Sequence, residues 1–209
     1  MNSLRYTLLT DGSSDQALLP ILTWLLRELG VTFPIQPAWA DLRCVPKPPR
    51  KLDQRIALAV ELYPCELLFV HRDAEREDWA TRRDEIVKAL DHASITLPAV
   101  GVIPVRMQEA WLLTDATAIR KAAGNPNGKR PLSLPAPKTL EALADPKDHL
   151  YALLREASEL RGRRLQSLNV SFLARRVADF TTDFAALRTL TAFQQLEHEL
   201  HEQLRHMPL

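Results

Sequence analysis

Tyr6-Thr7-Leu8-Leu9-Thr10-Asp11-Gly12-Ser13-Ser14-Asp15 reads as a short buried strand that ends in an acidic turn and runs straight into a helix. Asp11 then stands at the strand's C-terminal end and Asp15 in the first turn of the next helix. In open α/β sheets that edge is where ligands bind. A second unit of the same kind follows at Glu66 to His71, where Leu67, Leu68, Phe69 and Val70 form a continuous apolar run. Such a run is expected of a central parallel strand buried on both faces. It is followed by a second acidic pair, Asp73 and Glu75.

Outward from these two strands, Leu4 to Thr10 is strand one. Ser13 and Gln16 have the spacing of a capping box, and Leu18, Leu22, Leu25, Leu26 and Leu29 recur at helical intervals up to Gly30. Pro20 either begins the regular part of this helix or kinks it. Val31 to Pro37 reads as a turn and Ala38 to Val45 as the second strand. Pro46 to Lys51 is a stiff basic linker, and a helix with Leu52, Ile56, Ala59 and Val60 on its inner face follows. After Glu75 comes a helix carrying Ile86, Val87 and Leu90, then a fourth strand over Ala99 to Val105. Met107 to Asp115 reads as a helix opening at that strand's end. This alternation predicts an α/β fold, a mostly parallel Rossmann-like sheet with right-handed crossovers and helices on both faces. A loop rich in Pro, Gly and Asn, Gly124 to Pro137, marks a change of composition. Beyond it helices are expected at about 139–144, 146–160, 169–180 and 183–205, so residues 1–120 form the α/β domain and 121–209 a helical extension packed on it.

With 209 residues the chain is long enough to bury a sizeable core, and 46% apolar with 25% charged side chains is the make-up of an ordinary globular protein. No apolar run reaches the roughly 18 residues of a membrane span, and the opening residues lack the basic and apolar regions of a signal peptide. Cys44 and Cys65 are isolated, which suits a reduced compartment, and the expected location is cytoplasmic. Net charge is only +1, but it is unevenly spread. Residues 1–119 carry 13 basic and 16 acidic side chains, 120–176 carry 12 and 5, and 177–209 carry 2 and 5. An acidic first half followed by a basic middle suits a metal site beside a polyanion-binding surface, although a solvated helical face gives the same pattern.

Asp11, Asp15, Asp73, Glu75 and Glu109 all fall at the C-terminal ends of predicted strands or in the turn that follows. Gathered at one sheet edge, so many carboxylates require a divalent cation, Mg²⁺ or Mn²⁺, or else strongly raised pKa values. Each pair alone is also what a turn and a helix start would contain. Other signals lead nowhere. Gly124 to Lys129 is one residue short of a P-loop and follows no strand, and His198-Glu199-Leu200-His201 lacks zinc-protease spacing. Trp79 and Trp111 read as packing residues, and no Ser or Cys nucleophile arrangement is present.

Thr10 to Asp15 followed by Leu18 resembles the Glu-Gly-x-x-Asp motif of TOPRIM domains, with Asp11 in place of Glu. Phe69-Val70-His71-Arg72-Asp73-Ala74-Glu75 resembles their Asp-x-Asp motif, with Glu75 in the second acidic place. Glu109-Ala110-Trp111-Leu112-Leu113, with Asp115, is similar to a Glu-Ala-Trp-Leu-Leu-x-Asp stretch found after the fourth strand in one uncharacterised group of TOPRIM-like bacterial proteins. That group's later pattern is matched by Asp145-Pro146-Lys147 with Leu150 and by Arg188 to Phe193, so the resemblance spans nearly the whole chain. Relatives of this type are often encoded beside an ABC- or OLD-like ATPase in anti-phage defence systems, where the TOPRIM partner acts as a nuclease.

The resemblance implies a Mg²⁺- or Mn²⁺-dependent nuclease acting on DNA or RNA, the effector subunit of an ATPase-associated defence system, with homo-oligomerisation left open. By position, Asp11 would be general acid/base or a metal ligand, and Asp15, Asp73 and Glu75 would hold metal. Glu109 would complete the site or hold a second ion. Lys147 matches a lysine of the pattern, to neutralise charge on the scissile phosphate or to sit on the surface at a helix start. Arg161, Arg163, Arg164, Arg175 and Arg176 are candidates for backbone contacts to nucleic acid, or for a solvated face. Two alternatives stand beside this: a non-catalytic TOPRIM-fold subunit that docks on an ATPase as a sensor, and a phosphohydrolase of small substrates.

Overall fold

A computed structural model describes residues 3–75 and 77–207. Four strands, β1 (Leu4–Leu9), β2 (Ile35–Trp39), β3 (Leu67–His71) and β4 (Ala99–Val102), form one all-parallel sheet in the order β2-β1-β3-β4. Tyr6 stands opposite Leu67 and Leu9 opposite Val70, so β1 and β3 are the paired central strands. This is the Rossmann-like α/β architecture that the alternation of strands and helices predicts. The chain leaves β1 toward β2 on one side and reaches β3 on the other. The crevice at the carboxyl ends of β1 and β3 is therefore the switch point at which such sheets bind ligands.

Side-chain alternation divides the core into two layers. Leu4, Tyr6 and Leu8 of β1 and Leu67 and Phe69 of β3 face α1 (Leu18–Glu28), whose Leu18, Ile21, Leu22, Leu25 and Leu26 are all buried. Leu9, Leu68 and Val70 face the opposite way, onto α2 (Leu52–Leu62) and α3 (Trp79–His92) through Ile56, Ala59, Ile86 and Ala89. The α1 face carries more than one helix. α4 (Ala116–Ala122), α5 (Pro146–Ser158), α7 (Val170–Phe180) and α8 (Thr191–His206) join it in a single apolar cluster with β1 and β3. A short helix, α6 (Gly162–Gln166), precedes α7 and buries none of its residues. Among the described residues no helix is long and apolar enough to cross a membrane.

Several boundaries differ from the sequence reading for identifiable reasons. β2 lies over Ile35–Trp39, not Ala38 to Val45, and Leu42–Cys44 is a 3₁₀ turn capped by Asp41, which accepts from Arg43 N–H at 3.1 Å. Pro37 had suggested a turn, but β2 is an edge strand, where a residue without an N–H is tolerated. The turn after β1 is a 3₁₀ turn (Ser13–Ala17) closed by Asp15 accepting from Gly12 N–H at 2.9 Å, rather than by Ser13 with Gln16. Pro20 falls in the first turn of α1, where no intrahelical N–H bond is lost. The expected helix at Met107 to Asp115 is instead a 3₁₀ turn (Gln108–Leu112), and α4 begins only after Asp115, whose carboxylate accepts from Thr117 and Ala118 N–H at 2.7 and 3.0 Å. α5 stops at Ser158 because Glu159 turns left-handed, φ 53°. The expected 183–205 helix is a 3₁₀ turn (Ala185–Thr189) followed by α8.

Trp111 is fully buried and meets Phe193 of α8 edge-to-face, ring centroids 5.3 Å apart, so one side chain ties the turn after β4 to the last helix. Trp111→Ala should cost about 3–5 kcal/mol, measured by urea denaturation.

Candidate functional site

The site is built where β1 and β3 end. Asp15 is only 7% exposed, and a buried carboxylate needs donors. It has three: Gly12 N–H at 2.9 Å, the Ser14 hydroxyl at 2.8 Å and the Gln108 side-chain amide at 2.9 Å. Gln108 opens the 3₁₀ turn after β4, and its backbone N–H donates to Asp73 at 3.0 Å. One residue thus holds both carboxylates, Asp15 by its side chain and Asp73 by its main chain. The Gln108 Oε1 atom is buried and has no hydrogen-bond partner among the described residues.

His71, the last residue of β3, shares the inward parity of Leu67 and Phe69 and is buried. Its Nδ1 lies 2.9 Å from the Val102 carbonyl. A carbonyl only accepts, so Nδ1 carries the proton and Nε2 is turned toward the acids. Nε2 lies 3.5 Å from Asp73 Oδ1 and 3.8 Å from Asp15 Oδ2. Burial pushes the Asp73 carboxyl up to about 6; His71 opposes that shift, and Asp15 and Glu109 add to it. Glu109, also buried, is raised by its burial and by Asp15, and Lys147 acts against this.

Lys147 reaches Glu109 from the C-terminal half, its Nζ 4.0 Å from Oε1. Asp145 caps α5 by accepting from Asp148 N–H at 2.9 Å, and Pro146 takes the first helical position, where its missing N–H costs nothing. The Asp145-Pro146-Lys147 sequence therefore aims a lysine at the site. Sequence reading assigned no role to His71 or Gln108. The available signal was a lone histidine closing an otherwise apolar strand; nothing in the sequence marked Gln108.

The five carboxylates expected at one point divide into two groups. Asp15 and Asp73 lie against His71, and Glu109 is near enough to act on the Asp73 charge. Asp11 and Glu75 belong to a chain of alternating charges across the outer edge. Arg55 of α2 pairs with Asp11 and also donates to the Thr10 carbonyl at 2.6 Å. Arg72 bridges Asp11 at 3.6 Å and Glu85 at 3.2 Å, and Arg82 bridges Glu85 at 3.0 Å and Glu75 at 3.9 Å. The Asp11 side chain is 51% exposed and that of Glu75 68%. Glu75 is turned outward at a left-handed residue, φ 56°, whose N–H donates to the carbonyl of Arg106, itself left-handed at φ 62°. Two non-glycine residues held there side by side are strained backbone next to the acidic cluster.

Of the arginines read as nucleic-acid contacts, Arg161, Arg163 and Arg164 lie exposed on and before α6. Arg175 and Arg176 lie half-buried on α7 against aromatic rings.

Among the described residues no group of three or more His, Cys, Asp or Glu is already gathered at ligand spacing. The chemistry of the inner group nevertheless fits a hard divalent cation. Its carboxylates offer oxygen donors, burial raises two of them, and the Gln108 carbonyl oxygen is unused.

Raised from 3.8 to about 6 by folding, Asp73 favours the folded state below the unfolded value and loses that contribution as pH climbs through 6. Asp73→Asn keeps an acceptor for Gln108 N–H and carries no charge. In urea denaturation with EDTA it should be more stable than wild type at pH 8, by on the order of 2 kcal/mol, and equal to it at pH 4. No family model, curated protein or solved structure matches this chain, so the site is read from its own geometry.

Proposed function

We propose that this protein is a Mg²⁺- or Mn²⁺-dependent, TOPRIM-like nuclease working in the cytoplasm as the effector partner of an ABC- or OLD-like ATPase in anti-phage defence. The observation that carries the reading is the pair of carboxylates Asp15 and Asp73 held by Gln108 at the β1/β3 switch point, with Glu109 near enough to act on their charge and Lys147 beside Glu109. Its setting in the TOPRIM resemblance supplies the reaction class.

Asp15, Asp73 and Glu109 would hold the ion, with the Gln108 carbonyl oxygen as a further donor. When bound, Mg²⁺ supplies a Lewis acid that activates water and stabilises the charge of phosphodiester cleavage. Gln108 keeps Asp15 and Asp73 in one orientation. His71 Nε2, 3.5 Å from Asp73, is placed to orient that carboxylate from behind. Lys147, partly exposed at the rim, is placed to meet the negative charge of a phosphate.

A second reading keeps the TOPRIM fold and the ATPase partner without catalysis. It is favoured by the arginine pairing of Asp11 and Glu75, the two positions where the acidic motifs depart from the family pattern.

The decisive assay is cleavage of plasmid DNA, single-stranded DNA and tRNA with Mg²⁺ or Mn²⁺, alone and with the partner ATPase. Asp15→Asn and Asp73→Asn should each slow cleavage about a hundredfold or more. Asp11→Asn should leave most of the activity and lower stability by about 1 kcal/mol, since it strips a partner from the largely buried Arg55. No cleavage of any substrate under any of these conditions leaves the non-catalytic reading. Cleavage that survives both inner substitutions removes the mechanism.

A further inference from the structure

A cavity of about 870 Å³ forms an open groove on the α1 face, between α1, β2 and α7. Gln16 and Ala17 form part of its wall, so it borders the same 3₁₀ turn that carries Asp15. Phe172 stands on its rim and is 46% exposed, one of few large apolar side chains left in water. Arg175 and Arg176 lie over that ring at 5.5 and 6.0 Å, and Arg176 also covers Phe180 at 4.9 Å. Among the described residues neither arginine forms an ion pair with a carboxylate. Asp179 is the one acid against them on the groove wall.

A half-exposed aromatic ring with two guanidinium groups stacked over it, neither paired with a carboxylate, suits a polyanion that also offers flat rings. A duplex keeps its base faces stacked inside, so only a strand with open bases can use such a ring. A partner peptide adding to the sheet here is disfavoured, because Pro37 sits in the middle of edge strand β2, opposite Tyr6, and removes a ladder donor.

We propose that this groove is a binding track for single-stranded nucleic acid, with a base stacked on Phe172 and the backbone phosphates held by Arg175 and Arg176, leading to the turn that bears Asp15. As a substrate track it rests on the nuclease reading; as a binding site it does not.

The test is fluorescence anisotropy with 5′-fluorescein-labelled dT20 and rU20 and a 20-base-pair duplex, in EDTA so that nothing is cleaved. Wild type should bind at least one single strand about tenfold or more tighter than the duplex. Phe172→Ala should weaken that binding about tenfold, with Phe172→Trp retaining it. The Arg175→Ala/Arg176→Ala double variant should weaken it at least as much and flatten its salt dependence. Thermal unfolding of the Phe172 variants should match wild type, since that ring is half in water. The proposal is overturned if neither single strand binds, if Phe172→Ala binds as wild type does, or if the duplex binds equally well. Binding that persists in Asp15→Asn with no Mg²⁺-dependent cleavage by wild type would sink the nuclease reading and leave the groove standing. Cleavage with Phe172-independent binding would do the reverse.

Discussion

A carboxylate taken out of water must be given donors, and the site in this protein is organised around that requirement at Asp15. The tight turn after β1 supplies two of the donors locally, from Gly12 and Ser14. The third comes from Gln108, more than ninety residues away in the chain. It can arrive only because β4 ends beside β3, and β3 beside β1. Gln108 then fixes Asp73 through its own N–H, and Asp73 meets His71 at the end of β3. Removing the Gln108 side-chain amide would leave buried Asp15 short of a donor, while Asp73 would keep the backbone N–H of the same residue.

Charge explains why the acids separate into two groups. At the outer edge each carboxylate has a guanidinium neighbour, and alternation from Arg55 to Glu75 is nearly self-neutralising. Inside, three carboxylates share one histidine and one distant lysine, and burial leaves two of them with raised proton affinity. The outer chain braces α2, α3 and the strand ends, while the inner group is short of positive charge.

The C-terminal helices are part of this arrangement and not an ornament on it. Trp111, in the turn that begins with Gln108, is locked by Phe193 of α8. α7 packs against the turn that carries Asp15, and α5 presents Lys147 to Glu109. Their buried residues merge with those of β1, β3 and α1 in one apolar cluster, so the helical half sets the position of the acidic turns as firmly as the sheet does.

Sequence alone determined the α/β class, the parallel sheet, the central place of β3 and the edge at which acids collect. Those properties follow from short-range patterns: apolar runs, helical spacing and acidic turns at strand ends. Lys147 came only from the family resemblance, which left a surface lysine at a helix start as an equal reading; its approach to Glu109 is seen in the tertiary structure. Pattern misplaced β2, because a proline reads as a turn until the strand is known to lie at an edge. It joined Asp11 and Glu75 to the other acids, because spacing along the chain does not show a left-handed residue or an arginine arriving from another helix. The roles of Gln108 and His71 belonged to tertiary structure altogether. One is an amide brought across the sheet and the other a ring whose tautomer is set by a carbonyl on β4, and both depend on strand order that no local stretch of sequence contains.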